Sequence, residues 1–356
     1  MSEPSLITRP PEPEHGRGPA LRTAMQGAVR WETGLALVVV AIFAFGVAVS
    51  PDFLTASNLF NLGVTSGEVA IMALPMTLII ISGEIDLSVA SILGMSSALL
   101  GYLWARHWPM LLIFVMVALL GVAAGLFNGL MVTRVGLPSL AVTIGTLALY
   151  RGVALIILGS STVSNFPAPY STIGVLGVAN SSLPWNVAIF AVLAVIFGVV
   201  LHFTPVGRSI YAMGASPEAA IFAGIRVKRV KTMLFIVSGV ICAMAGALMT
   251  FRLSTAVNTN GIGLELDVVA IVLLGGVSIF GGKGTIVGVV LGVLAFAGIS
   301  NALLLTNFNQ EASSIPIGGL LLVSVFVPQL AGISRRLRDT VARRRRSAPA
   351  LGASHE

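Results

Sequence analysis

The chain has 356 residues, of which 56% are hydrophobic and only 10% are charged, and its formal net charge is +7. Ordinary soluble domains contain about 25% charged residues, so this composition excludes a water-soluble globular protein. The single cysteine, Cys242, excludes a disulfide within the chain.

The first 30 residues are rich in proline and poor in apolar side chains, which predicts a disordered cytoplasmic tail over 1–30. A secretory signal peptide over 22–50 is the alternative, because basic residues precede an apolar run there. Pro51 would directly follow the cleaved bond, which disfavours cleavage. We therefore interpret 34–49 as a retained first helix.

Long apolar runs fill the chain after this tail. A bilayer core of about 30 Å needs roughly 20 apolar residues per helix, so the runs predict an all-α polytopic membrane protein with about ten transmembrane helices. The predicted spans lie near 34–49, 67–82, 87–104, 109–132, 138–158, 186–202, 232–250, 266–281, 285–305 and 313–330. Residues 31–330 then form one transmembrane domain.

The basic residues indicate the orientation of these spans. If the N-terminus is cytoplasmic, all but three of the 21 Lys and Arg face the cytoplasm. The exceptions are Arg106 and Arg252 in outward loops and Arg151 within a span. This bias predicts that both termini are cytoplasmic. The tail 331–356 is basic, and we expect it to contact membrane lipid rather than nucleic acid.

Glycines recur every four residues at 121, 125 and 129, and again at 284, 288 and 292. Helical residues four apart share a face, and small side chains let two helices approach closely in lipid. Both stripes therefore predict tight helix–helix contacts.

Polar and ionisable residues within spans are costly and suggest function. The candidates for a translocation pathway are Asp86, Ser88, Asn128, Arg151 and Asn301. The alternatives are interhelical hydrogen bonds for the two asparagines and capping of the next helix by Asp86 or Ser88. Arg151 either pairs with an acid on a neighbouring span or lines a water-filled path.

Residues 281–285 read Gly-Gly-Lys-Gly-Thr, like the end of a phosphate-binding loop. The full pattern needs a glycine at 277 and Ser or Thr at 284, where this chain has Val277 and Gly284. No metal-ligand spacing and no catalytic triad are found either. The sequence thus predicts neither an enzyme nor a cofactor or metal site on this chain.

The basic loop 203–231 contains the signals of a short helix. Ser216 suits the N-cap, Pro217 the first helical position and Glu218 the positive helix end, and Gly224 ends the helix. Such a helix either inserts into a groove of a soluble partner or lies in the membrane interface. The residues alone leave both interpretations open.

At this loop the chain resembles a known family. Glu218-Ala219-Ala220-x-x-x-Gly224 is similar to the first half of the EAA loop of ATP-binding-cassette (ABC) importer permeases. The Ile-x-Leu-Pro half is absent, which points away from the maltose-type branch. Further stretches resemble sugar permeases of the ribose/arabinose/xylose branch; they are 82–89, 137–146, 207–214 and 265–285.

The resemblance implies one half of a dimeric pore in the bacterial inner membrane, with a second permease chain that is identical or different. It implies cytoplasmic ATPase partners, which bind the ATP and magnesium, and a periplasmic sugar-binding protein. The coupling role falls on Gly207, Arg208, Gly214, Ser216, Glu218, Ala219, Ala220 and Gly224.

The resemblance also suggests which solute is transported. The form Gly-Glu-Ile-Asp-Leu-Ser-Val-Ala at 83–90 is most similar to rhamnose-type permeases, with autoinducer-2-type or other pentose and hexose permeases as the alternative. An ion-coupled secondary transporter is the rival class, because it would also use intramembrane charges.

Overall fold

The computed structural model describes residues 19–306 and 318–319, and these residues are mostly helical. The helices are α1 Pro19–Val49, α2 Ala56–Ile81, α3 Val89–Trp104, α4 Met110–Leu130, α5 Ser139–Leu158, α6 Ala168–Val175, α7 Trp185–Phe203, α8 Pro205–Ala215, α9 Pro217–Phe222, α10 Val227–Leu253, α11 Leu264–Leu274 and α12 Ile286–Leu305. A π-helical turn, Met131–Val135, extends α4, and a 3-10 turn covers Val178–Asn180. Two short strands, β1 Val163–Ser164 and β2 Thr255–Ala256, pair in antiparallel orientation.

Within the described residues, seven helices are long and apolar enough to cross a membrane. They belong to α1, α2, α4 with its π-helical turn, α5, α7, α10 and α12. Helices α3 and α11 are shorter, with 16 and 11 residues. The predicted span 313–330 lies outside the described residues except for 318–319.

Some predicted boundaries are wrong. Helix α2 begins at Ala56 rather than near residue 67, and α11 ends at Leu274 rather than near residue 281. Helix α1 begins at Pro19 and so reaches into the segment 1–30, for which we expected disorder.

Helix α2 lies at the centre of the bundle, where it packs against α7, α10, α11 and α12. Its residues from Gly67 to Ile81 are all buried. Pro75 is accommodated inside the helix, as neighbouring helices often permit in membrane proteins.

The first glycine stripe is confirmed as a packing surface between α4 and α10. A Cβ at Gly121 would lie 2.5 Å from the Gly239 carbonyl oxygen, and one at Gly125 would lie 2.2 Å from that of Phe235. No larger residue fits at either position unless the helix backbones separate.

The second stripe is confirmed only in part. Gly288 and Gly292 pack α12 on α11, with hypothetical Cβ atoms 2.1 Å from the Gly275 oxygen and 2.5 Å from the Ile271 oxygen. Gly284 does not belong to this helix face, because it precedes the N-cap of α12, Thr285.

Candidate functional site

The short helices α8 and α9 lie together at one end of the bundle, and each begins with the same local signal. Thr204 Oγ1 accepts the Gly207 N–H at 3.4 Å, and Ser216 Oγ accepts the Ala219 N–H at 3.3 Å. A proline follows each cap, where its missing N–H costs nothing. The predicted helix start at Ser216 is thus confirmed.

Helix α9 ends in a left-handed turn. Gly224 has φ +80°, and the Ile225 N–H donates to the Ala220 carbonyl at 3.0 Å across it. Ala220 is buried and holds α9 against the bundle. The next two side chains point away from it, with Ile221 61% and Phe222 93% exposed. The result is an apolar tip that nothing in the described chain covers.

Helix α8 is fixed to the bundle by close backbone approaches. A Cβ at Gly207 would lie 1.9 Å from the Leu201 carbonyl oxygen, and one at Gly214 would lie 1.8 Å from that of Ile81. Between them, Ile210 and Met213 are fully buried, while Arg208, Glu218 and Ala219 face outward.

Tyr211 attaches α8 to the loop before α12. Its hydroxyl donates to the Gly284 carbonyl at 2.6 Å. Burial raises the pKa of Tyr211 to about 12, and the nearby Glu32 carboxylate adds to that rise. The hydroxyl therefore stays protonated and remains a donor at any physiological pH.

The Gly-Gly-Lys-Gly-Thr sequence at 281–285 forms part of this attachment. The Gly282 N–H donates to the Ile81 carbonyl at 2.8 Å, and a Cβ at Gly281 would lie 2.9 Å from the Gly214 oxygen. Gly281 and Gly282 both have positive φ, which lets the loop turn tightly against α2 and α8. We call this meeting of Ile81, Gly214, Gly281 and Gly282 the glycine junction.

An ion pair joins α10 to the same region. Lys231 Nζ donates to Glu84 Oε1, and both side chains are largely buried. Glu84 follows the end of α2, so the pair connects the start of α10 to the segment beside the glycine junction.

Three of the five pathway candidates meet in one buried chain. Ser88 Oγ donates to Asp86 Oδ1 at 2.6 Å, and Asn128 Nδ2 donates to Ser88 Oγ at 2.8 Å. The hydroxyl of Tyr150, which the sequence did not single out, lies 3.1 Å from Asn128 Oδ1 and 3.0 Å from the Ala124 carbonyl oxygen, and it can donate to either. Asp86 Oδ2 has no hydrogen-bond partner among the described residues. The chain links the α2–α3 connection to α4 and α5.

Asp86 itself lies in the connection between α2 and α3 and is completely buried. Burial raises its pKa to about 6, although hydrogen bonds from the Ser88 hydroxyl and amide oppose the rise. Asp86 Oδ1 accepts the Ser88 N–H at 2.9 Å, whereas the Ser88 side chain makes no capping bond. Of the two residues predicted to cap α3, only Asp86 accepts a hydrogen bond from a backbone N–H.

Arg151 and Asn301 lie apart from this chain. Arg151 Nη1 donates to the Asn260 carbonyl at 2.7 Å, and the side chain is half-buried. Asn301 and Asn58 exchange two amide hydrogen bonds of 2.7 and 3.0 Å between α12 and α2. Both predicted asparagines thus make interhelical hydrogen bonds.

The sequence did not predict one buried ion pair. Arg252 Nε donates to Glu68 Oε1 at 2.8 Å, and Asn186 Nδ2 donates to the same oxygen at 3.3 Å. The sequence placed Arg252 in an outward loop, but α10 continues to Leu253 and carries it into the bundle. The ion pair and Asn186 together join α2, α7 and α10. The two charged residues are 184 positions apart, so no local sequence pattern indicates their contact.

Within the part of the chain that the structure describes, no group of three or more His, Cys, Asp or Glu is placed to hold a metal ion.

Comparison with known proteins gives one family and several relatives. The family model described as branched-chain amino acid transport system / permease component matches residues 58–325. The ribose import permease protein RbsC of Haemophilus influenzae is 31% identical over 84% of this chain and 93% of its own length. The autoinducer 2 import system permease protein LsrD of Escherichia coli K12 is 31% identical over 88% of this chain and 96% of its own. No solved structure matches the chain.

Proposed function

The chain belongs to the family of branched-chain amino acid transport system permease components, and from that premise we propose that it is the membrane-spanning subunit of an ABC importer of the ribose and autoinducer-2 type. It is a transport component of the bacterial inner membrane rather than an enzyme. ATP is bound and hydrolysed on partner ATPase subunits, and a periplasmic binding protein delivers the solute.

The observation that carries the proposal is the exposed apolar tip of α9, with Phe222 93% exposed at its end, held on a rigid base. An apolar tip facing water is costly unless a partner covers it. The glycine junction joins its base to α2, so a force on the tip reaches the centre of the bundle. A helix inserted in a groove of the ATPase would use this arrangement.

The predicted coupling residues then fall into two groups. Five shape the device: Gly207 and Gly214 permit close packing, Ser216 and Gly224 mark the ends of α9, and Ala220 attaches it. Three face outward toward the ATPase, namely Arg208, Glu218 and Ala219.

We place the α8–α9 end of the bundle in the cytoplasm. Arg208, Arg226, Lys228 and Arg229 are exposed at this end, in agreement with the excess of basic residues on the cytoplasmic side of membrane proteins. Ten spans with both termini cytoplasmic remain our proposal for the whole chain.

The solute is a small polyhydroxylated compound of the ribose or autoinducer-2 class. Both reported relatives are named for such solutes, and neither name supports the predicted rhamnose.

A second permease chain, identical or different, completes the pore. We place Arg151, which is half-exposed, on the pathway, and we assign Asp86, Ser88 and Asn128 to the transmission of movement between α3, α4 and α5.

Site-directed crosslinking tests the docking of α9. The only native cysteine, Cys242, is buried, so a cysteine introduced at Phe222 is the accessible thiol. A Phe222→Cys variant, labelled with a thiol–amine crosslinker, should crosslink to the ATPase of the same transport system. The matched control is Phe280→Cys, at a side chain that is 78% exposed in the loop before α12 at the same end of the bundle. Equal crosslinking at both positions would contradict the proposed docking.

A further inference from the structure

A groove with a volume of about 670 Å³ opens at the α8–α9 end of the bundle. It lies between the turn that follows α9, the first turn of α10 and the connection from α4 to α5. Its apolar wall includes Val132, Ile221 and Ile225, and its basic wall includes Arg226, Lys228 and Arg229.

The positive charge of this groove is largely uncompensated. Glu84 also lines it, but that carboxylate is paired with Lys231. Within the part of the chain that the structure describes, the side chains of Arg226, Lys228 and Arg229 have neither an ion-pair nor a hydrogen-bond partner. Three unpaired cations around one groove favour an anionic occupant.

The start of α10 strengthens this preference. Arg226, at the N-cap, makes no side-chain capping bond, and the first turn contains no acid. The positive end of a helix dipole normally attracts carboxylates, whereas Lys228 and Arg229 add like charge here. An anion in the groove would relieve both unfavourable interactions.

The apolar wall and the position of the groove select among anions. A free phosphate would leave the exposed Ile221 and the half-buried Ile225 uncovered, but an amphiphile would cover them. The groove also lies at the first residue of a candidate membrane span, Val227–Leu253, which is the level of the bilayer surface. Basic pockets between helices on the cytoplasmic side are typical binding sites for anionic lipid headgroups.

We infer that this groove binds an anionic phospholipid, with the phosphate among Arg226, Lys228 and Arg229 and the acyl chains on the apolar wall. The bound lipid bridges the α9–α10 turn and the α4–α5 connection and so stiffens the attachment of α9. Lipid binding itself is independent of the proposed transport function. Only the effect of the lipid on coupling rests on that function.

Lipid titration of the purified full-length chain, followed by native mass spectrometry, tests the inference. The probes are phosphatidylglycerol, phosphatidylcholine and inorganic phosphate. Each basic residue near an anionic lipid surface contributes roughly fivefold in affinity, so Lys228→Gln/Arg229→Gln should bind phosphatidylglycerol about tenfold or more weakly than wild type. The charge-conserving variant Lys228→Arg/Arg229→Lys should retain binding, which separates charge from folding.

The matched control is Arg208→Gln/Lys283→Gln, which removes two positive charges from the same end of the bundle outside the groove. If the control variant binds phosphatidylglycerol as weakly as Lys228→Gln/Arg229→Gln, the effect depends only on net charge and the proposed lipid site is wrong. Equal affinity for phosphatidylcholine, or full displacement by inorganic phosphate, would also overturn it. So would unchanged lipid affinity together with weaker ATPase binding, because the occupant would then be an acidic protein segment.

Discussion

Gly214 on α8 and Ile81 at the end of α2 are in direct backbone contact. A Cβ on residue 214 would lie 1.8 Å from the Ile81 carbonyl oxygen, which already accepts the Gly282 N–H at 2.8 Å. Because no side chain separates the two elements, α8 cannot tilt without displacing the end of the central helix. This contact is the physical basis of the proposed coupling between the ATPase and the pore.

Gly214→Ala should therefore uncouple or misassemble the transporter. The added methyl group overlaps backbone atoms, and overpacking of this kind costs about 1–3 kcal/mol or more. We expect a lower melting temperature in detergent and a large loss of ATP-driven uptake. Gly198→Ala on α7 is the control, since no atom lies within 4 Å of the added Cβ there. Similar effects of the two substitutions would contradict the role of the junction.

Phe222→Ala should separate stability from function. The side chain is 93% exposed, so its removal costs the isolated chain little and should leave the melting temperature unchanged. If Phe222 inserts into the ATPase, truncation should weaken that complex by about 2 kcal/mol or more, as is usual for buried aromatic residues at interfaces. Pull-down of the ATPase measures the loss. Wild-type affinity would place the partner surface elsewhere.

Arg252→Gln should destabilise the fold strongly. Glu68 is buried in the central helix, and Arg252 is its only ion-pair partner among the described residues. Breaking a buried pair from one side typically costs about 3–5 kcal/mol, because a charge remains without a partner. The melting temperature in detergent should fall accordingly.

Two variants control for the loss of charge in that experiment. Glu68→Gln/Arg252→Gln should regain much of the stability, because no unpaired charge remains. Arg106→Gln should change little, since Arg106 is exposed, stacks on Tyr102 with its guanidinium 3.5 Å from the ring centroid, and makes only a 3.4 Å hydrogen bond to the Tyr102 carbonyl. A double variant less stable than Arg252→Gln would contradict this view of the pair.

The Asp86 carboxyl should make stability depend on pH. Its pKa in the folded protein is raised from 3.8 to about 6 by burial. Between about pH 4 and pH 6 the unfolded chain loses this proton while the folded state keeps it, so stability falls as the pH rises. The difference between these pKa values corresponds to about 3 kcal/mol, lost by pH 7.

Asp86→Asn carries no titrating proton and should not show this fall. The stability of the wild type relative to the variant should therefore decrease between pH 4 and pH 7. Melting curves in detergent across this range measure the difference. The neighbouring residues Ser88, Asn128, Tyr150 and Cys242 are the same in both proteins. Parallel curves for the two proteins would show that Asp86 does not titrate in this window.

Local signals in the sequence were sufficient for part of the site. The hydroxyl–proline start at Ser216 and the glycine end at Gly224 determine α9 by backbone hydrogen bonding alone, and the structure contains both. The stripe at Gly121 and Gly125 likewise predicted a close helix contact, because few roles other than packing require small residues at that spacing. Neither signal identifies which element packs on the other side.

Features that depend on distant partners could not be predicted. Helix α2 begins 11 residues before the predicted boundary near residue 67, and its first turns contain polar groups such as Asn58 that lower the local hydropathy. These groups are tolerated because a partner such as Asn301 satisfies them, and the two residues are 243 positions apart. Helix α11 ends early because the backbone turns at Gly276, which has positive φ, although the apolar run continues.

Uptake of labelled ribose into proteoliposomes would show whether this chain works in an ATP-driven importer. The vesicles would contain this chain with its ATPase, the other permease chain where the system has one, and the binding protein. Each sample would be assayed with ATP inside, and again with only a proton or sodium gradient. We expect uptake of ribose or of a related small polyol that requires ATP and the binding protein and is lost with Gly214→Ala. Uptake driven by an ion gradient through this chain alone would rule out an ABC importer, because intramembrane acids rather than α9 would then drive transport.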